Sequence, residues 1–184
     1  MRVETAVMSD FESLVGLSAE VENLFGPMVN EASFHTALKE AIANKMVFCV
    51  RDTLNTLKGG IAISKEANAI LWFVVAELYR GQGIGSHLLR AAISRLDSEK
   101  EIVVQTFDKT VQAGLAARTL YLNTGFVDVR DGGKNPAGIP TVIMHLINDI
   151  LTNRCHCVAF QGSIKSNPIA DSVKIRNPGR YGNH

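Results

Sequence analysis

Long apolar runs are missing from this chain of 184 residues. The longest, Ala69 to Ala76, falls far short of the roughly 20 residues that a membrane-spanning helix needs. Cysteine is scarce: Cys49, Cys155 and Cys157 are too few, and odd in number, for a disulfide framework, which favours a reducing compartment. The first residues include Glu4 and Asp10 and hold no apolar core, so no secretory leader is read there. The net charge of +1 argues neither for nor against nucleic acid. The expectation is a cytoplasmic protein with no membrane partner and no nucleic-acid partner evident. Two phosphate motifs are also missing. No Gly-Lys-Ser/Thr ending marks a P-loop, and Ser86-His87 do not complete a dinucleotide fingerprint.

What is present suits one domain with a sizeable core, since 46% of residues are hydrophobic. Charge is unevenly spread. From Leu151 to His184, Arg154, Lys165, Lys174, Arg176 and Arg180 stand against Asp171 alone, while the rest of the chain is mildly acidic. The reading is a folded domain over 1–150 and a basic, loop-rich extension over 151–184. In that extension Cys155-His156-Cys157 invites a metal reading, but it lacks a second ligand pair, so no metal is expected.

The most informative stretch runs from Ile70 to Leu96. An apolar run, Ile70 to Ala76, leads through Glu77-Leu78-Tyr79 into Arg80-Gly81-Gln82-Gly83-Ile84-Gly85-Ser86. Leu88, Leu89, Ala92, Ile93 and Leu96 then recur at helical spacing. Strand, glycine turn and amphipathic helix follow one another. The first amides of a helix have no partner within it, and the dipole is positive there. Gly81, Gly83 and Gly85 let a ligand approach the backbone, and Arg80 adds a fixed positive charge. The expected ligand is a phosphate, most naturally a pyrophosphate.

Around this stretch the chain reads as a strand within Arg2–Met8 and a helix capped at Ser9-Asp10 that ends at Gly26-Pro27. A second helix spans about Glu31–Asn44, and strands follow at Met46–Val50 and Gly59–Ile63. Ile70–Ala76 forms the third strand of this meander and is covered on both faces. After the Ser86–Leu96 helix come a strand at Glu101–Phe107 and a helix at Thr110–Asn123. A strand from Gly125-Phe126-Val127, a loop at Asp131–Pro136 and a strand at Thr141–Ile147 complete the series. This order predicts an α/β (α+β) fold with a mixed, mostly antiparallel sheet flanked by helices, not regular βαβ repetition.

Arg80, Gly83 and Gly85 resemble the Arg/Gln-x-x-Gly-x-Gly/Ala signature of the GNAT superfamily of acyl-CoA-dependent N-acyltransferases. Ala117-Arg118-Thr119-Leu120-Tyr121-Leu122-Asn123-Thr124-Gly125-Phe126 is similar to its Ala-x-x-Leu-Tyr-x-x-x-Gly-Phe segment. The order of elements matches that family from Met1 to about Asn148. Two positions depart from it. Gly114 stands where many members have asparagine, and Glu77 where proline is frequent.

The resemblance implies acetyl-CoA as cosubstrate, with its pyrophosphate on Arg80, Gly81, Gln82, Gly83, Ile84, Gly85 and Ser86. It implies that pantetheine runs along the backbone of Phe73, Val74 and Val75, with the Val75 region polarising the thioester carbonyl. Tyr121, which pattern alone would class as a core residue with a hydrogen-bonded tip, becomes the acid that protonates the leaving thiolate. Glu77 is the candidate base, with Asp108 at the end of the next strand as a second carboxylate; each is also readable as a solvated loop residue. His87 is expected at the anion site or facing solvent, and Cys49 as a buried, inert thiol. The implied activity is direct acetyl transfer to a primary amine on a small molecule or peptide. A non-catalytic acyl-CoA-binding module is the alternative, and a homodimer is a possible assembly.

Overall fold

The computed structural model describes residues 1–146. A short strand β1 (Glu4–Thr5) leads through a 3-10 turn (Met8–Asp10) into helices α1 (Phe11–Ala19), α2 (Glu22–Phe25) and α3 (Ala32–Ala43). Strands β2 (Val47–Arg51), β3 (Leu57–Ser64) and β4 (Ala69–Val75) follow. A 3-10 turn (Glu77–Tyr79) then enters α4 (Ile84–Ile93). Strand β5 (Ile102–Phe107), a 3-10 turn (Gln112–Gly114), α5 (Leu115–Thr124) and the pair β6 (Phe126–Lys134) and β7 (Pro140–Leu146) complete the described chain.

The seven strands form one sheet in the order β1-β2-β3-β4-β5-β7-β6. Only β4 and β5 pair in parallel. This is the mixed, mostly antiparallel sheet expected from the order of elements. Alternation along the strands sends apolar side chains to both faces. Trp72, Val74 and Ala76 pack with Phe11, Leu14 and Phe34 on one side. Phe73 and Val75 pack against the cluster of Leu88, Leu89 and Tyr121 on the other.

Local differences from the expected elements have physical causes. The single helix expected up to Phe25 is interrupted after Ala19, because Glu20 and Val21 turn the chain before α2. Asp10 does not cap that helix. Its carboxylate accepts the Val7 amide at 2.8 Å and takes the Arg51 guanidinium in a bidentate grip at 2.8 and 2.5 Å. The loop expected at Asp131–Pro136 is strand up to Lys134. Irregularities in register at Asp128/Arg130 and Asp131/Gly133 absorb residues that look like a turn, and Gly133 takes a positive φ of 71° there. Helix α4 starts at Ile84, two residues before the expected Ser86, because Gly83 at φ 78° reverses the chain immediately ahead of it. Gly125 ends α5 in the left-handed conformation, as its place in the sequence suggests. The extension over 151–184, with Cys155-His156-Cys157, lies outside the described residues.

The Asp10–Arg51 pair joins the start of α1 to the end of β2, with Glu4 on the edge strand β1 also accepting from Arg51 at 3.2 Å. The Arg51 hydrogen bonds hold the Asp10 carboxyl below its usual range. A depressed carboxylate contributes stability that is full above the unfolded value near ~4 and is lost as pH falls through the folded value. Asp10→Asn is expected to cost about 2–4 kcal/mol at neutral pH, because it strips a partner from a largely buried arginine. Denaturant unfolding at pH 7 and pH 3 checks this: the gap between wild type and variant should narrow at the lower pH. A gap that stays constant would disprove the linkage.

Candidate active site

The site is built where β4 and β5 part. They pair only at Ala69↔Val103 and Ile70↔Val104. Asn68 sets this starting point. It is buried, accepts the Asp97 amide at 2.8 Å, and donates to the carbonyls of Asp97 and Glu101, each at 3.0 Å. Its own carbonyl accepts the Val103 amide. Beyond Ile70, the register of β4 against β3 slips between Trp72 and Ile70, leaving Leu71 as an extra residue. A bulge bends a strand, and here it coincides with the divergence of β4 from β5.

The divergence frees one edge of β4. The Ala76 amide donates across to Lys58 on the β3 side. Backbone groups alternate along a strand, so the amides and carbonyls of Val75 and Phe73 face the opposite way, into the gap. The Val75 carbonyl accepts from Arg80 Nε at 3.0 Å, which folds the arginine back over the end of β4.

The glycine turn follows directly. Gly81 and Gly83 adopt φ of 75° and 78°, which costs a glycine little and other residues more. The amides of Gly81, Gln82 and Gly83 have no protein acceptor among the described residues. Those of Ile84, Gly85 and Ser86 form the first turn of α4, where helix geometry provides none. A side chain at Gly81 or Gly83 would project into open space. Gly85 has a different role: a Cβ there would lie 3.1 Å from Leu120 Cδ2 and 3.4 Å from Phe73 Cζ, so this glycine lets α4 pack close to α5 and β4. A row of unpaired donors at a positive helix end suits an anion.

A cavity of about 520 Å³ joins the free edge of β4, the glycine turn and the near face of α5. Phe73, Val74, Val75, Arg80, Gly81, Gly83, Ile84, Gly85, Ser86 and Tyr121 line it. Gln82 and Glu77 do not. Gln82 donates to the Leu78 carbonyl at 3.4 Å. Glu77 is exposed, and its amide donates to the Glu20 carboxylate at 2.8 Å, so the two acids share the rim next to the lining residues Val21 and Val75. Asp108 is engaged outside the cavity, where its carboxylate accepts both the amide and the hydroxyl of Thr110; these bonds hold it below its usual range. His87 Nδ1 lies 3.0 Å from the Gly83 carbonyl and the ring is exposed. Cys49 is buried, and burial pushes its thiol up to about 11, as an inert thiol requires.

Tyr121 is 3% exposed and its ring meets Phe73 and Phe126 edge-on, with centroids 6.3 and 5.4 Å away. Its hydroxyl has no hydrogen-bond partner among the described residues. Burial pushes the phenol above its ordinary value, so it holds its proton at neutral pH. A phenol on a cavity wall with no partner among the described residues is available to donate its proton to an occupant of the cavity.

Three residues at this site, Glu20, Phe25 and Phe107, carry no site signal in the sequence, and a fourth, Gly114, shows there only as a departure from the family pattern. Glu20 reaches the rim only because the first helix ends there. The rings of Phe25 and Phe107 meet at a tilt of 55° with centroids 5.0 Å apart, bringing α2 to the end of β5. Gly114 lies so close to Phe107 that a Cβ on it would overlap the Phe107 Cβ. That contact accounts for glycine at this position, since an asparagine would displace the aromatic ring.

The model of the acetyltransferase (GNAT) domain family matches residues 15–147. The chain belongs to the GNAT acetyltransferase family. It is therefore an acyltransferase, and its fold is found in solved members. A GNAT-family acetyltransferase from Bacillus cereus has 18% identity and a TM-score of 0.61, over 78% of this chain and 94% of that one. The PaiA N-acetyltransferase from Thermoplasma acidophilum, solved in complex with coenzyme A, has 16% identity and a TM-score of 0.61, over 80% and 98%. A spermidine N-acetyltransferase, SpeG, from Vibrio cholerae has 16% identity and a TM-score of 0.59, over 84% and 99%. No curated protein sequence matches the chain. Among the described residues, this GNAT domain has no group of three or more His, Cys, Asp or Glu side chains that could hold a metal, and no helix long and apolar enough to cross a membrane.

Proposed function

We propose that this GNAT acetyltransferase moves the acetyl group of acetyl-CoA directly to a primary amine. The observation that carries the reading is the continuity of one cavity. A free strand edge at Phe73 and Val75, a turn of unpaired amides at Gly81–Gly83, and the unpartnered Tyr121 all border it. A long cosubstrate with an amide-bearing arm and a pyrophosphate matches that sequence of donors and acceptors. Arg80 and the backbone from Gly81 to Ser86 bind the phosphates, with Gln82 contributing its amide. Phe73 and Val75 present backbone to the arm, while Val74, whose backbone groups turn to β3, lines the cavity between them, and the Val75 amide polarises the thioester carbonyl.

The bound thioester supplies an activated acetyl carbon. The acceptor enters as an ammonium and gives one proton to the rim, where Glu77 and Glu20 draw it off through water. The free amine nitrogen then forms the new C–N bond as the C–S bond breaks, and the electron pair stays on sulfur. Tyr121 donates its proton to that sulfur and is restored by the second proton of the reacting nitrogen. The products are the acetamide and the free thiol, with the ammonium proton released. Apolar burial raises the Tyr121 phenol, yet it also disfavours the thiolate, so both partners of the proton transfer shift the same way.

Thiol release from acetyl-CoA in the presence of an amine panel tests this. Amine-dependent release with matching acetamide formation is expected. Calorimetric binding of acetyl-CoA without turnover of any amine would instead identify a non-catalytic acyl-CoA-binding module. Binding of ATP or NAD in preference to CoA would overturn the cosubstrate itself.

A further inference from the structure

We propose, resting on the acetyl-transfer reading above, that the preferred acceptor is a small monoamine with an aromatic or branched aliphatic body, not a polyamine or an aminosugar. The end of the cavity away from the glycine turn is the place for that body. Val21, Leu24 and Phe25 form one wall, and Phe107 faces them from the end of β5. Val21 and Phe107 are buried, while Leu24 and Phe25 are half-buried and offer apolar surface to an occupant.

No charged side chain among the described residues lines this end. Arg80, at the phosphate end, is the one charged side chain among the described residues that line the cavity. The nearby acids lie outside the lining of this end. Glu22 accepts the amides of Met28 and Val29 at 2.7 and 2.9 Å. Asp108 accepts from Thr110, and Glu20 holds the Glu77 amide at the rim. A polyamine would carry further ammonium groups against a wall with no carboxylate to receive them, and burying an unpaired charge is costly. A monoamine leaves its single proton at the rim and presents only apolar surface beyond.

The wall is fixed in place. Asn135, in the connection between β6 and β7, donates through Nδ2 to the Leu24 carbonyl at 2.7 Å. A Cβ on Gly26 would fall 2.8 Å from the Pro136 Cβ, so the same connection presses on the end of α2. Phe107 has its own seat, opened by Gly114. These are three separate provisions for one pair of aromatic rings. A hydrophobic pocket of set shape discriminates by roughly tenfold or more for each methylene it accommodates.

The test measures kcat/KM at saturating acetyl-CoA for phenethylamine, isoamylamine, spermidine and kanamycin, with a tetrapeptide beginning in Phe as a further arm. One of the two apolar amines should exceed spermidine and kanamycin by about tenfold or more. Phe25→Ala should lower that advantage by about tenfold without changing the Kd of acetyl-CoA, and Phe25→Leu, milder to the fold, should give a smaller loss of the same kind. Preference for the tetrapeptide over phenethylamine would place the same apolar group on a peptide terminus and overturn the small-molecule assignment. Acetylation with spermidine or kanamycin preferred would overturn the inference and leave acetyl transfer standing. No acetylation of any amine, with acetyl-CoA still bound, would overturn acetyl transfer itself.

Discussion

Tyr121→Phe is expected to lower kcat for acetyl transfer by about a hundredfold or more, with little change in the Kd of acetyl-CoA. The substitution removes one hydroxyl and leaves the ring between Phe73 and Phe126. Because that hydroxyl has no partner among the described residues, its loss orphans no donor or acceptor there, and thermal stability should stay near that of the wild type. Burial raises the phenol above its ordinary value of about 10, so Tyr121 should not produce a falling alkaline limb in the wild-type profile below that pH. Steady-state kinetics from pH 6 to about 9.5, with calorimetric binding alongside, checks both statements. Equal kcat in the two proteins would remove Tyr121 from the proton transfer. A large rise in Kd would make it a binding group instead.

The glycine turn was legible because all of its physics is local. A strand, a reversal and a helix start lie within one short stretch, and each is set by residues next to one another. Gly125 as the end of α5 follows from the same kind of reasoning, since only a few residues tolerate its positive φ, whereas the start of α4 at Ile84, behind Gly83, falls two residues ahead of the Ser86 that the pattern suggests. The lining role of Phe73, Val74 and Val75 came by resemblance. The reason their edge is free did not come from sequence at all. It depends on two pairs of β4–β5 register and on Asn68 binding carbonyls about thirty residues away. A chain position says nothing about such a partner.

Where local signals misled, tertiary pairing overrode them. Asp131-Gly132-Gly133 has the composition of a turn, yet β7 holds it as a strand with the excess taken up in bulges. Asp10 has the look of a cap, yet Arg51, on β2, claims it with two hydrogen bonds. Gly114 is the clearest case. Against the family pattern it reads as a lost contact, and in the fold it is the space that Phe107 occupies. The α2 end of the cavity is assembled from such distant contacts, between α2, the end of β5 and the β6–β7 connection. That is why the glycine-turn end of the cavity could be read in advance and the α2 end could not.

Gly83→Asp should weaken acetyl-CoA binding by about a hundredfold at low ionic strength. Gly83 is exposed, at φ 78°, and a Cβ there would meet nothing within 4 Å, so the new side chain has room. Two effects are then separable. The left-handed backbone costs a non-glycine residue of order 1 kcal/mol, with Asn and Asp among the more tolerant. The carboxylate adds repulsion: like charges ~5 Å apart interact by about 3 kcal/mol at an effective dielectric near 20. Gly83→Asn has nearly the same shape and backbone demand without the charge, so it isolates the first effect. The asparagine variant should lose only a few-fold in affinity, and the difference between the two should shrink as salt screens the repulsion. Calorimetric titration of acetyl-CoA into each variant across a salt series makes the comparison. If both variants lose affinity equally at every salt concentration, the turn does not hold phosphates and the anion site must be sought elsewhere.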